Sequence, residues 1–145
     1  MNLLRQNPAL VIALIALASA QALKFIGNWL VHRQPDFTRL TGMGGMPSAH
    51  AASVSALSTC VGIERGLNSS LFGVVAFFSL LVIYDATGIR QAAGRQAQLL
   101  NHMLERLRHQ HSLAGERLVE RLGHTYVEVF VGVLYGISVA LLLHP

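Results

Sequence analysis

PALVIALIALASAQALKFIGNWLV, residues 8–31, decides the fold class. Its 24 residues make about 36 Å of α-helix, enough to cross a hydrocarbon core of about 30 Å with some tilt. Arg5, the apolar run from Ala9 to Ala18 and the Ala18-Ser19-Ala20 triplet imitate a secretory signal and its cleavage site. The apolar pattern nevertheless continues through Leu23, Phe25, Ile26, Trp29, Leu30 and Val31. The stretch is therefore expected to stay as a first membrane span.

Three further stretches extend the pattern. Residues 47–62 are rich in Ser and Ala, poor for contact with lipid but suited to close packing inside a bundle. Residues 69–84 and 124–143 are strongly apolar, and the latter carries a Gly132-x-x-x-Gly136 spacing that permits a homodimer. Between them, 85–123 is Arg- and Gln-rich, with Ala93, Ala97, Leu100, Leu104 and Leu107 near helical spacing. It reads as an amphipathic helix on the membrane surface, and 113–122 can form a second short helix. The expected fold is all-α: a single membrane-embedded helical bundle of about four transmembrane spans with a cytoplasmic helical insertion.

Composition agrees. Charged residues are 12% of the 145 and hydrophobic ones 52%, with a mean hydropathy of +0.48, which argues against a disordered chain, a coiled coil or an ordinary soluble domain. One cysteine, Cys60, excludes an internal disulfide framework and a Cys-based zinc site. The ten Arg and one Lys are scattered among apolar runs, not clustered with aromatics as on a nucleic-acid face. With four spans, segments 31–47 and 85–123 share one side and hold eight arginines, against Arg5 and Arg65 on the other. That asymmetry places the long loops in the cytoplasm.

Several polar residues interrupt the apolar pattern. Gln21, Lys24 and Asn28 form one stripe on the first span, which a snorkelling lysine with polar packing would also explain. Gly42-Met43-Gly44-Gly45-Met46 leads into Pro47-Ser48-Ala49-His50. With Pro47 as first helical residue, helix N–H groups and the Ser48 hydroxyl would point outward as an anion site beside His50. The third span ends in Tyr84-Asp85-Ala86-Thr87-Gly88-Ile89-Arg90, where Asp85 is a partner of Arg90 or a helix-end residue. At the fourth span, His124 and Glu128 lie one helical turn apart. Either the carboxylate orients the imidazole for nucleophilic attack, or the two are a structural pair. His102, His109 and His111 match no good metal-ligand set, so no metal is expected.

Gly-Gly-Met-Pro-Ser-Ala-His at 44–50, the Asp-Ala-x-Gly-Ile-Arg-x-Ala-Ala-Gly-x-Gln-Ala run at 85–97 with Leu-Asn at 100–101, and Gly-His-Thr-x-x-Glu-Val at 123–129 together resemble the divergent type 2 phosphatidic acid phosphatases. The resemblance runs from Gln21 to Gly136. It implies a metal- and cofactor-independent membrane phosphatase. By position, Lys24, Arg33 (or Arg39), Ser48, Ala49, Asp85 and Arg90 would make up the phosphate-binding set. His124 would be the nucleophile, Glu128 its carboxylate partner and His50 the proton donor. Ala49 replaces the usual Gly, Gln34 separates Arg33 from Pro35, and 33 residues separate Arg90 from His124, far more than the wider superfamily's short spacer.

The implied reaction hydrolyses a lipid phosphomonoester through a phosphohistidine. A cytoplasmic site in the inner membrane would meet inner-leaflet lipids, and the resemblance favours phosphatidylglycerophosphate. Undecaprenyl pyrophosphate hydrolysis and a non-enzymatic lipid-binding or scaffold module are the alternatives. Membrane lipids and the lipid phosphate itself are the expected partners, and nucleic acid is not.

Overall fold

The computed structural model describes residues 7–33, 45–110, 118 and 123–145. Among these residues the chain is helical and has no strand: α1 (Pro8–His32), α2 (Ala49–Arg65), α3 (Ser70–Thr87), α4 (Ile89–Gln110) and α5 (Tyr126–Leu143). Asn7 starts α1, its side-chain oxygen accepting from Leu10 N–H at 3.0 Å ahead of Pro8. Arg33 ends it in the left-handed region at φ 54°, its N–H donating to the Trp29 carbonyl.

The least apolar of the long bundle helices sits at the centre. Helices α1, α3 and α5 each pack on α2, which buries Ala49, Ala51, Ala52, Ser55, Ala56, Cys60 and Val61. Small side chains let the neighbours approach closely. The outer helices turn large apolar side chains outward instead: Leu14, Phe77, Phe78, Leu80 and Leu142 are all exposed. Small and polar inside, large and apolar outside is the pattern a lipid solvent selects. Among the described residues, three stretches are long and apolar enough to cross a membrane: Pro8–Leu30, one within Ser70–Arg106, and Tyr126–Leu143. Helix α2, 17 residues long and rich in Ser and Ala, is not among them.

Gly132 and Gly136 are buried against α2. A Cβ on Gly132 would stand 2.6 Å from the Ser48 carbonyl oxygen, and one on Gly136 would collide with the Ala52 backbone. The spacing expected to permit a homodimer is thus occupied inside the chain. Along α1, Ile12, Ala16 and Ala20 complete the core against α2 and α5.

Helix boundaries differ from the sequence reading in instructive ways. Ser48 is the N-cap of α2, so Pro47 precedes the helix, after a cis Met46–Pro47 peptide, and is not its first residue. Helix α3 continues three residues past Tyr84, which puts Asp85 in its last turn and not in the insertion. Helix α5 starts at Tyr126, capped by Thr125, so His124 stands just outside it.

Gly88 separates α3 from α4. On α4 the inward residues are Gly94, Ala97 and Asn101, while Leu99, Leu100 and Met103 are exposed. The Asn101 side chain grips the Leu118 backbone from both sides, accepting its N–H and donating to its carbonyl, each at 2.9 Å. Leu100, on the apolar stripe read from the sequence, is exposed, whereas Ala97 of the same stripe is buried. Leu118 itself is not helical, and the rest of the 113–122 segment lies outside the described residues, as does Arg39.

Candidate active site

All three motifs meet at one end of the bundle. Gly123 takes φ +87°, a conformation that costs glycine little, and turns the chain into His124. The backbone of His124 is then held on both sides by the α3–α4 junction. Its N–H donates to the Ala86 carbonyl at 2.9 Å, and its carbonyl accepts from Gln91 Nε2 at 2.7 Å. These two bonds close the long gap between Arg90 and His124. The two ends of the intervening segment are thereby joined at the site. Arg90 lies in the first turn of α4, next to Gln91; its side chain lies outside the described residues.

The His124 ring is almost fully buried, at 4% exposure, and its Nδ1 lies 3.0 Å from Glu128 Oε2. A carboxylate only accepts, so Nδ1 carries a proton, and in the neutral ring the lone pair is then on Nε2. The same Glu128 oxygen accepts from Thr125 N–H at 3.2 Å, while Thr125 Oγ1 accepts from Glu128 N–H at 3.3 Å. Glu128 therefore serves two purposes. It completes a capping box that starts α5, and it fixes the ring of His124.

Helix α2 delivers the second motif to the same place. Ser48 N–H donates to the Glu128 carbonyl at 3.0 Å, which pins the start of α2 to the first turn of α5. The Ser48 hydroxyl is fully buried and accepts from Ala51 N–H at 3.4 Å. It caps its own helix, where the sequence reading had it facing outward. Ala49 is buried behind it, and His50 is exposed at the mouth. The His50 and His124 rings meet edge-on, with centroids 6.4 Å apart.

Lys24 enters from α1. Gly45, at φ +88°, leaves room for its stem; a Cβ there would stand 3.3 Å from Lys24 Cδ. Lys24 and Glu128 attract each other electrostatically. Gln21, Lys24 and Asn28 are half-buried, whereas Leu23, Ile26 and Leu30 on the other side of α1 are exposed, so the polar stripe faces the bundle. The backbone of Arg33, the cap of α1, lies about 13 Å beyond Lys24 along the helix axis, and its side chain is exposed. The structure gathers Lys24, Ser48, His50, His124 and Glu128 and leaves Arg33 outside that cluster. Asp85 is half-buried in the last turn of α3, beside the Ala86 carbonyl that holds His124. Sequence reasoning passed over Gln91 and Ala86. Gln91 offered one weak signal, a polar residue beside Arg90; Ala86 acts through its carbonyl and offered none.

The family model of the Divergent PAP2 family matches residues 5–139. A relative from Bacillus subtilis (strain 168), "Uncharacterized membrane protein YuiD", is 40% identical over 154 aligned positions, which cover 99% of this chain and 97% of that protein. No solved structure matches.

Proposed function

The chain belongs to the Divergent PAP2 family, and from that premise we propose that it is a membrane phosphatase acting on a lipid phosphomonoester through a phosphohistidine. The observation that carries the reading is the buried His124, held by Glu128 at 3.0 Å and faced by the exposed ring of His50. A purely structural Glu–His pair would not require a second histidine at its edge.

The phosphate enters over His50, drawn by Lys24 and by Arg90 on the α3–α4 junction. His124 Nε2 attacks phosphorus, and the P–O bond to the lipid breaks as His50 gives its proton to the departing alkoxide. Glu128 stabilises the imidazolium character that develops on His124. In the second step water attacks the phosphohistidine and loses a proton to His50. Inorganic phosphate leaves, and both histidines return to their starting states. Ser48 and Ala49 contribute through the start of α2, whose register against α5 they hold.

The eight-to-two arginine asymmetry supports an inner-membrane protein with this site on the cytoplasmic side. Inner-leaflet phosphomonoesters are then its substrates, with phosphatidylglycerophosphate ranked first. The test is phosphate release by purified protein from a panel of phosphatidylglycerophosphate, phosphatidic acid and undecaprenyl pyrophosphate, alongside His124→Ala. Release from the first lipid, abolished in the variant, is expected. Release from undecaprenyl pyrophosphate alone would show the substrate to be the wrong lipid, and equal release by the variant would end the reading.

A further inference from the structure

Helices α3 and α5 both pack on α2 but barely touch each other, which leaves a groove of about 640 Å³ between them with α2 as its floor. That volume lies in the range of sites that take small organic ligands. The groove contains hydroxyl side chains, yet its surface is apolar, because the hydroxyls are turned into the helices. Ser58 and Ser79 bond each other at 2.8 Å, Ser79 also donates to the Val75 carbonyl at 2.8 Å, and Thr59 donates to the Ser55 carbonyl at 2.8 Å. Among the described residues, none that lines it is charged. Such a surface offers little to water or a polar solute and much to a hydrocarbon.

Its position relative to the histidines gives it a direction. Ser55 and Val133, at the upper rim, are each five residues from His50 and Glu128 respectively, about 7.5 Å of helix rise. Ile83 on the third wall is one turn from the Ala86 carbonyl that holds His124. Leu80 on the lip is 65% exposed, so the groove opens sideways toward the surrounding lipid.

We propose that this groove holds an acyl chain of the phosphate-bearing phospholipid whose headgroup reaches His50 and His124. The assignment of the headgroup rests on the phosphatase reading. The lipid slides in between α3 and α5 without leaving the bilayer, and the groove sets the depth at which its phosphate meets the histidines.

The test places the full chain in phosphatidylcholine vesicles with phosphatidic acid carrying a mid-chain diazirine, and maps the photolabel by mass spectrometry. The label should concentrate on the groove walls and be suppressed by excess unlabelled phosphatidic acid. Ala76→Phe, which fills the groove from α3, should lower labelling about tenfold, equivalent to 1.4 kcal/mol of chain binding. Val74→Phe, on the exposed side of α3, should leave it unchanged. Circular dichroism checks the fold, and Ile137→Phe fills the groove from α5 should Ala76→Phe not fold. Label spread evenly over exposed residues of α1 and α3, or undiminished in a folded groove-filled variant, would overturn the proposal. So would competition by undecaprenyl phosphate and not by phosphatidic acid. Labelling needs no turnover. A protein that labels here but releases no phosphate would keep the groove and lose the phosphatase reading.

Discussion

Glu128 shows how one carboxylate can bind a fold to its chemistry. Its Oε2 accepts both the Thr125 N–H of the capping box and His124 Nδ1. The two roles can be separated by mutation. Thr125→Ala removes the hydroxyl half of the box and should cost about 1 kcal/mol of stability, read as a lower melting temperature in detergent, with the smaller effect on turnover. Glu128→Gln keeps an oxygen for the cap but loses the charge that supports His124, so turnover should fall while the melting temperature holds. His50→Ala should slow turnover by about 10²–10⁴-fold, the usual contribution of a positioned proton donor. Much of that loss should return with substrates whose leaving groups need no proton. At this scale the sequence was partly legible. The His124–Glu128 spacing was visible, but Ser48 was not readable as a self-capping residue, since a Pro-Ser pair suits either side of a helix start.

At the scale of the helices, α2 governs the arrangement. Its Ser and Ala content already marked it as an interior helix, because side chains so small stabilise a membrane helix only through close neighbours. The partner on α5 was less legible. A Gly-x-x-x-Gly spacing states that something approaches closely without saying whether it is another copy or another helix of the same chain. Here it is the α2 backbone at Ser48 and Ala52. Gly132→Ala and Gly136→Ala should therefore destabilise the bundle itself, by about 1–3 kcal/mol as overpacked sites do, in dilute detergent where any dimer is dissociated. A melting temperature unchanged by either substitution would contradict this packing.

The whole molecule joins motifs that lie far apart in the chain. Contacts through Gly45, Ser48, Ala86 and Gln91 bring Lys24, His50 and His124 to one end of the bundle. Sequence reading saw the three motifs and the intervening amphipathic stretch. It could not see the two bonds of the His124 backbone that close the gap, one to the Ala86 carbonyl and one from the Gln91 side chain, since a carbonyl carries no sequence signature. The arginine asymmetry makes a topological prediction at this scale. In a Cys60→Ala background, a cysteine at the exposed Asn68 should label from outside intact cells, and one at the exposed His102 only after permeabilisation. The reverse pattern would turn the site to the outer leaflet and remove the case for inner-leaflet substrates.

The central claim is a covalent bond between His124 and phosphorus, and it can be trapped. Protein mixed with a phosphatidic acid carrying ³²P in its phosphate, and quenched in alkali within milliseconds, should retain a radiolabel that is stable to base and released by acid. The label should map to the peptide containing His124 and be missing from His124→Ala. Turnover without any such label in the wild type, or an equal label in His124→Ala, would contradict the account.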